Sequence, residues 1–112
     1  MNALIIDDSL AMRRILGKIM AGLGFETIEA RDGAEGLAVF LEKADTIEVT
    51  LVDWNMPVMT GIEFVEEVRS KNEYDNHKLM MVTTETEPSR MARALMAGVD
   101  EFVMKPFTQE IL

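Results

Sequence analysis

Short apolar segments alternate along the chain with longer segments whose apolar positions recur every three or four residues. Four such apolar segments are residues 3–6, 49–52, 79–82 and 102–104, and residues 25–30 alternate apolar and polar positions in the manner of a strand. Their length and side chains are typical of strands, most of them buried on both faces of a sheet. The amphipathic segments between them predict helices. Repeated strand–helix units predict an α/β fold with a parallel sheet, helices on both faces and right-handed crossovers.

Capping residues mark where the first three helices begin. Ser9 is placed to cap the first helix, Asp32 the second and Thr60 the third. Glu35 and Glu63 follow Asp32 and Thr60 at the spacing of a capping box. These signals predict three helices that start directly after strand ends or short loops.

The last two helices are marked less completely. Pro88 suits the first turn of a fourth helix, and Gly98 suits the residue just past its end. Thr108 is placed to cap a fifth helix, but only about its first turn precedes Leu112. We therefore expect one domain over residues 1–112 whose fifth helix is truncated.

The apolar positions also predict which side of each helix is buried, because offsets of three and four residues fall on one face. In the first helix these positions are Met12, Ile15, Leu16, Ile19, Met20 and Leu23. In the second helix they are Ala34, Leu37, Ala38 and Leu41. In the third helix they are Gly61, Phe64, Val65 and Val68.

Composition removes several classes of function. The chain has no cysteine, so a disulfide framework and a thiolate zinc site are excluded. It has no apolar run of membrane-spanning length and no signal peptide, so we expect a cytoplasmic protein without a membrane partner. The formal net charge of −9 repels phosphate backbones, so direct binding to nucleic acid is not expected. Divalent cations and basic partner surfaces remain compatible with this charge.

Polar side chains stand where the predicted strands end. Asp7 and Asp8 follow the first strand, Asp53 the third, Thr83 the fourth and Lys105 the fifth. The carboxyl ends of parallel strands meet at one edge of a sheet, which is where ligands bind in this class of fold. Three converging carboxylates repel one another unless a cation lies between them. Mg²⁺ suits such a site, since it takes a few carboxylates, waters and phosphate oxygens.

The same residues are suited to phosphoryl transfer. A carboxylate beside Mg²⁺ can attack a phosphoryl group and form an acyl phosphate. Charge on the transferring group then has to be stabilised by cations and hydrogen-bond donors. Lys105 offers an ammonium group and Thr83 a hydroxyl. This pattern favours Asp53 as the residue that accepts the phosphoryl group.

The sequence resembles the response-regulator receiver domains, in particular the single-domain chemotaxis type. The matching segments are residues 5–9 (IIDDS), 52–61 (VDWNMPVMTG), 81–84 (MVTT) and 102–107 (FVMKPF). Each segment alone is weak evidence, but their order and spacing together are highly specific. The resemblance implies a flavodoxin-like, doubly wound sheet of five parallel strands in the order 2-1-3-4-5.

The resemblance also implies roles at the phosphoacceptor site. Asp53 is expected to be the phosphorylation site and, with Asp7, Asp8 and the backbone carbonyl of Asn55, to bind Mg²⁺. Lys105 is expected to pair with the phosphoryl group, through a cis peptide bond to the proline that follows it.

Further residues are implied to control the switch. Thr83 is the expected switch hydroxyl and Phe102 the expected switch aromatic. Asn55 and Glu85 occupy the two positions that tune loss of the phosphoryl group. Thr84 departs from the small residue that often follows the switch hydroxyl.

The implied function is a signalling switch rather than an enzyme with a separate substrate. A histidine kinase donates a phosphoryl group to Asp53, and the domain catalyses only its own phosphorylation and dephosphorylation. The switched surface is expected to comprise the fourth helix, the fifth strand and the fifth helix. An output protein or domain, or a second copy forming a dimer, is the expected partner at that surface.

Three alternatives remain open. An aspartate-nucleophile phosphatase would place an Asp-x-Asp pair on the first strand, whereas Asp7 and Asp8 are adjacent here. A flavin or dinucleotide binder would carry a glycine-rich turn where Ser9 and Leu10 stand. A phosphorylation-independent interaction module would not need the acidic residues. Outside the site, His77 is expected to be exposed, and Arg90 and Arg93 to lie on a solvated helix face.

Overall fold

A computed structural model describes residues 2–83 and 88–104, which form five strands and four α-helices. The strands are β1 (Asn2–Ile6), β2 (Glu26–Ala30), β3 (Ile47–Val52), β4 (Lys78–Thr83) and β5 (Glu101–Met104). The helices are α1 (Leu10–Gly22), α2 (Gly33–Lys43), α3 (Gly61–Arg69) and α4 (Pro88–Ala97). The predicted fifth helix lies outside the described residues. Within these two ranges, no helix combines the length and apolarity needed to cross a membrane.

The five strands form one parallel sheet in the order β2-β1-β3-β4-β5, as expected. The direction in which strands are added reverses between β1 and β3. The chain goes from β1 to β2 on one side of β1, and then crosses from β2 to β3 on the other side. Ile6, the last residue of β1, pairs in register with Val52, the last residue of β3. The residues that follow these two strands therefore emerge side by side at the crevice where ligands bind in such sheets.

Two apolar clusters cover the two faces of the sheet. The larger one contains residues of α2, α3 and α4, with the ring of Phe40 edge-on to that of Phe64 at a centroid distance of 6.0 Å. The smaller one packs Leu16 and Met20 of α1 against strand residues such as Leu51. Burial on both faces explains the apolar runs within β1, β3 and β4. The edge strand β2 instead alternates polar and apolar residues and is mostly exposed.

Side-chain caps start the helices where the sequence predicts. The Ser9 hydroxyl accepts the N–H of Met12, and Thr60 and Glu63 form both bonds of a capping box. At α2, Asp32 accepts the N–H of Glu35, so the capping bond of the N-cap residue is present. The Glu35 carboxylate, however, accepts from the backbone and guanidinium of Arg31 rather than completing a box with Asp32.

The inner face predicted for α2 is wrong at three of its four positions, and only Leu37 packs against the larger apolar cluster, partly buried. Ala34, Ala38 and Leu41 are exposed, and the buried residues of the helix are Gly33, Gly36 and Phe40. A Cβ atom added to Gly36 would lie 2.4 Å from the Ile6 side chain, so the glycine lets the helix approach β1 closely. The helix is therefore rotated relative to the face that its aliphatic residues indicate.

The predicted buried faces of α3 and α1 agree better with the structure. In α3, all four predicted residues are buried, together with Ile62. In α1, Leu16 and Met20 are buried as predicted, but Ile15 and Leu23 are exposed and Arg13 is buried instead. Arg13 can be buried on the inner side of α1 because its guanidinium donates to Glu29 and to the backbone carbonyl of Asp7.

The prediction that His77 is exposed is also wrong. Its ring is partly buried, 5.2 Å from the ring of Phe40, and its Nε2 lies 2.9 Å from the carbonyl oxygen of Ala44. Because His77 directly precedes β4, it belongs to the edge of the sheet opposite the strand ends that deliver the acidic residues.

Candidate functional site

Three carboxylates meet at the switch between β1 and β3. Asp7, Asp8 and Asp53 each offer an oxygen atom, and these oxygens all lie within 4.8 Å of one another. Asp7 and Asp53 are buried, whereas Asp8 is exposed. The convergence predicted from the strand ends is therefore present for all three acids.

The backbone of the sheet holds two of these acids in place. The N–H of Asp53 donates to the carbonyl oxygen of Ile6 at 3.0 Å, and the N–H of Asp7 donates to that of Ala30 at 3.1 Å. Both bonds extend the strand pairing by one residue, so Asp7 and Asp53 stay within the rigid part of the sheet. Rigid elements fix functional side chains more precisely than loops do.

Local backbone donors orient the carboxylates of the same two residues. Oδ1 of Asp7 accepts the N–H of Ser9 at 2.9 Å, and Oδ1 of Asp53 accepts the N–H of Trp54 at 2.7 Å. Bonds to an ionised carboxylate are short and strong compared with neutral ones. Each carboxylate thus has one oxygen held by the main chain immediately after it.

The chemistry of this donor set fits a hard divalent cation. Three carboxylates at this separation repel one another, and the buried pair is screened less by solvent than surface charges are. Mg²⁺ prefers oxygen ligands and is usually bound by one or two carboxylates together with several waters. This cluster offers two fixed carboxylates and an exposed side that water can reach. The cluster could therefore hold a metal ion.

The remaining predicted site residues are placed as follows. Thr83 ends β4 with its side chain fully buried and pairs in register with Met104, the residue before Lys105. Phe102 is partly buried and packs against the larger apolar cluster. Asn55 is exposed, two residues after Asp53. Lys105, Glu85 and Thr84 lie outside the described residues.

A tight loop connects Asp53 to α3. The N–H of Gly61 donates to the carbonyl oxygen of Trp54 at 3.0 Å. A Cβ atom on Gly61 would lie 2.1 Å from the carbonyl oxygen of Asp53, so only glycine permits this approach. The same loop holds Val58 at a φ of 70°, a left-handed conformation that is rare for a β-branched residue. The start of α3 is therefore packed directly against the backbone of Asp53.

Two arginines near the site were not predicted to belong there. Arg13 is buried and donates to the backbone carbonyl of Asp7 at 2.7 Å. The guanidinium of Arg90, expected on a solvated helix face, lies 5.5 Å from the ring centre of Trp54. A signal for Arg13 was available, because it precedes Leu16 by three residues and Met20 by seven, on the stripe that α1 buries.

Comparison with known proteins agrees with the geometry. The sequence profile of the response regulator receiver domain matches residues 3–112. The chain is 40% identical to a chemotaxis protein CheY homolog of Campylobacter jejuni, with 100% of this chain and 86% of that protein covered. It is likewise 40% identical to chemotaxis protein CheY1 of Helicobacter pylori, with 100% and 90% covered.

Solved structures are similar as well. Vibrio cholerae CheY4 is 36% identical, with a TM-score of 0.87 over 97% of this chain and 89% of that one. A chain of the CheX–CheY–BeF3–Mg²⁺ complex from Borrelia burgdorferi is 26% identical, with a TM-score of 0.91 over 98% and 81%. With the fold, the strand order and the acidic cluster in agreement, this chain belongs to the response-regulator receiver family.

Proposed function

We propose that this domain accepts a phosphoryl group from a histidine kinase onto Asp53, in a reaction that requires Mg²⁺. The observation that supports this most directly is the cluster of Asp7, Asp8 and Asp53, whose carboxylate oxygens lie within 4.8 Å of one another at the sheet switch point. Receiver domains are signalling domains rather than enzymes with a separate substrate. We restrict catalysis here to the domain's own phosphorylation and dephosphorylation.

The transfer step is a displacement at phosphorus. A carboxylate oxygen of Asp53 forms the new O–P bond while the N–P bond to the kinase histidine breaks, and the imidazole leaves. The product is an acyl phosphate on Asp53 and an unmodified histidine on the kinase.

We assign the metal to Asp7, Asp8, Asp53 and the backbone carbonyl of Asn55. Bound there, Mg²⁺ would neutralise the carboxylates and the charge on the phosphoryl oxygens. The related complex from Borrelia burgdorferi contains Mg²⁺ and BeF3, which supports a site for a cation and a phosphoryl-like anion in this family. Before the reaction, main-chain hydrogen bonds already hold Asp7 and Asp53 at the ends of adjacent strands.

We assign the response to phosphorylation to residues on β4 and β5. Thr83 would turn its hydroxyl toward the phosphoryl group, and Phe102 would move into the space released. Lys105 would pair with the phosphoryl oxygens, while Asn55 and Glu85 would tune hydrolysis of the acyl phosphate. Such a local charge change controls a two-state equilibrium that exists before phosphorylation.

The output surface is proposed to comprise α4, β5 and the segment after β5. Its exposed apolar residues, Leu95, Met96 and Met104, support binding to a protein partner. That partner is an output protein or domain, or a second copy of this chain in a dimer. The net charge of −9 supports a protein partner over nucleic acid. We propose that the domain binds its partner in the cytoplasm, and we assign it no membrane partner.

The test uses the single tryptophan, which adjoins Asp53 and donates to it. We expect its fluorescence to change on titration with Mg²⁺ and to change again when acetyl phosphate is added. The Asp53→Asn variant should show no second change. Asp45→Asn is the matched control, since it removes an exposed acid before the other end of β3. Mass spectrometry of the acid-quenched protein should find one added phosphoryl group in wild type and Asp45→Asn only.

The alternatives make different predictions in the same experiment. A silent Mg²⁺ titration and no added phosphoryl group would favour the phosphorylation-independent interaction module. Continuous turnover of a small phosphate ester would favour the aspartate-nucleophile phosphatase. A second fluorescence change that persists in Asp53→Asn would contradict Asp53 as the acceptor.

A further inference from the structure

A buried arginine lies directly behind the acidic cluster. Arg13, on the inner side of α1, is 8% exposed, although arginine is rarely buried without specific partners. Its Nη1 donates to the backbone carbonyl of Asp7 at 2.7 Å, and its Nε donates to a carboxylate oxygen of Glu29 on β2 at 3.0 Å. The side chain therefore ties α1 and β2 to the end of β1.

The hydrogen bond from Arg13 adds to two others that hold Asp7 in place. The N–H of Asp7 donates to Ala30, its Oδ1 accepts from Ser9, and its carbonyl accepts from Arg13. The carbonyl lies at the point where the chain leaves β1, and Asp7 itself is buried. An unsatisfied carbonyl at a buried residue is costly, and Arg13 satisfies it.

We propose that Arg13 is a positioning residue for the metal site, which holds the backbone of Asp7 so that its carboxylate faces Asp8 and Asp53 before a cation arrives. This inference rests on the proposed Mg²⁺-dependent function and adds to it a residue that does not touch the cation. Partners of metal ligands often control metal affinity because they fix the orientation of the ligand.

The charge of Arg13 is arranged so that it does not replace the cation. Its guanidinium is paired with the Glu29 carboxylate, and its bond to Asp7 goes to the main chain. The pair contributes no net charge, so the carboxylates of the cluster keep their attraction for a divalent ion. Lysine could not do the same, because a single ammonium lacks the planar fork that reaches two acceptors in fixed directions.

The experiment compares cation binding in three chains without any phosphoryl donor. Wild type, Arg13→Lys and Arg93→Lys are titrated with Mg²⁺ and separately with Ca²⁺, followed by Trp54 fluorescence. Arg93→Lys is the matched control, since Arg93 pairs with Glu66 at 3.7 Å on exposed helix surface. Arg13→Lys should raise the Kd for Mg²⁺ about tenfold, the lower end of the range for changes behind a metal ligand.

The comparison of the two cations separates positioning from general loosening. Mg²⁺ demands nearly ideal octahedral geometry, whereas Ca²⁺ tolerates variable geometry. A displaced Asp7 should therefore weaken Mg²⁺ more than Ca²⁺, and the ratio of the two Kd values should shift toward Ca²⁺. A lower melting temperature with both Kd values unchanged would overturn the proposal and leave Arg13 as a structural residue only.

A second variant covers the case in which Arg13→Lys does not fold. Glu29→Gln removes the charge that fixes Nε of Arg13 but leaves the bond to Asp7, so a smaller rise in the Mg²⁺ Kd is expected. An unchanged Kd in that variant would overturn the proposal. Failure of the wild-type chain to bind Mg²⁺ would instead overturn the proposed function, and the role of Arg13 with it.

Discussion

The guanidinium carbon of Arg90 lies 5.5 Å from the centre of the Trp54 ring. Trp54 follows Asp53 directly and donates its N–H to the Asp53 carboxylate. Arg90 belongs to the first turn of α4, the helix that we assign to the output surface. This cation–π contact is thus a physical link between Asp53, the proposed phosphoacceptor, and α4.

Replacing Arg90 by glutamine should change the emission of Trp54, because a charge next to the indole ring is removed. The intensity and the emission maximum of the unliganded protein should both differ from wild type. The response to Mg²⁺ should persist, since Arg90 is not one of the clustered acids. The loss of the contact should lower the free energy of unfolding by about 0.5–1 kcal/mol, the usual strength of an exposed cation–π pair.

Arg93→Gln is the control for the change in emission, because Arg93 lies on the same helix and pairs with Glu66. Its spectrum should match that of wild type. An unchanged spectrum in Arg90→Gln would contradict the contact with Trp54.

Removing one carboxylate from the acidic cluster should have opposite effects with and without Mg²⁺. Without the ion, Asp8→Asn should raise the free energy of unfolding by roughly 1 kcal/mol, since like charges about 4 Å apart repel by that amount in water. In Mg²⁺ at about one hundred times its Kd, wild type should gain about 2.7 kcal/mol through binding. Asp8→Asn should gain less, because it binds the ion more weakly.

Urea unfolding followed by Trp54 fluorescence, in EDTA and in Mg²⁺, measures both effects. Asp45→Asn should behave like wild type in both solutions, because Asp45 lies outside the cluster. Equal stabilisation of wild type and Asp8→Asn by Mg²⁺ would contradict a role for Asp8 in binding the ion.

The sheet and the meeting point of the acids could be predicted from the sequence because each depends on a short-range signal. Apolar runs that stop at Asp7 and Asp53 mark the ends of β1 and β3, and parallel pairing then brings those ends together. The order of the strands is not a local property. It was expected because of the family resemblance, and the topology confirms it.

The orientation of α2 could not be predicted in the same way, and the burial of Arg13 was missed. A count of apolar residues overlooks Gly36, whose contribution is the absence of a side chain next to Ile6. The same count treats every arginine as polar, although Arg13 is buried by its two acceptors. The orientation of α2 depends on what faces the helix, which periodicity within the helix does not contain. The burial of Arg13 could have been found from its spacing, since Arg13 lies on the stripe that α1 buries.

Val58 should be replaceable by glycine with a gain in stability. Its φ of 70° is strained for a β-branched residue, and its side chain is 83% exposed, so little burial is lost. Relief of strain of about 1–3 kcal/mol should exceed the entropic cost of glycine, about 0.5–1 kcal/mol. Thermal unfolding of Val58→Gly should show a higher melting temperature. Val58→Ala keeps a Cβ atom at this φ and should gain less, whereas a glycine variant less stable than wild type would contradict the strain.

Alanine at Gly61 should damage both stability and phosphorylation, because its Cβ would lie 2.1 Å from the carbonyl oxygen of Asp53. The start of α3 would have to move away from Asp53 and break the bond from Gly61 to Trp54. We expect a loss of about 1–3 kcal/mol, as for other overpacked sites, and slower labelling by acetyl phosphate.

Gly17→Ala is the matched control, since the nearest atom to its added Cβ is 3.8 Å away and the helix interior favours alanine by about 0.5–1 kcal/mol. In urea unfolding, Gly61→Ala should therefore be less stable than wild type and Gly17→Ala more stable. The rate of labelling by acetyl phosphate should fall in Gly61→Ala and stay unchanged in Gly17→Ala. A Gly61→Ala protein with wild-type stability and labelling would show that α3 does not need this close approach to Asp53.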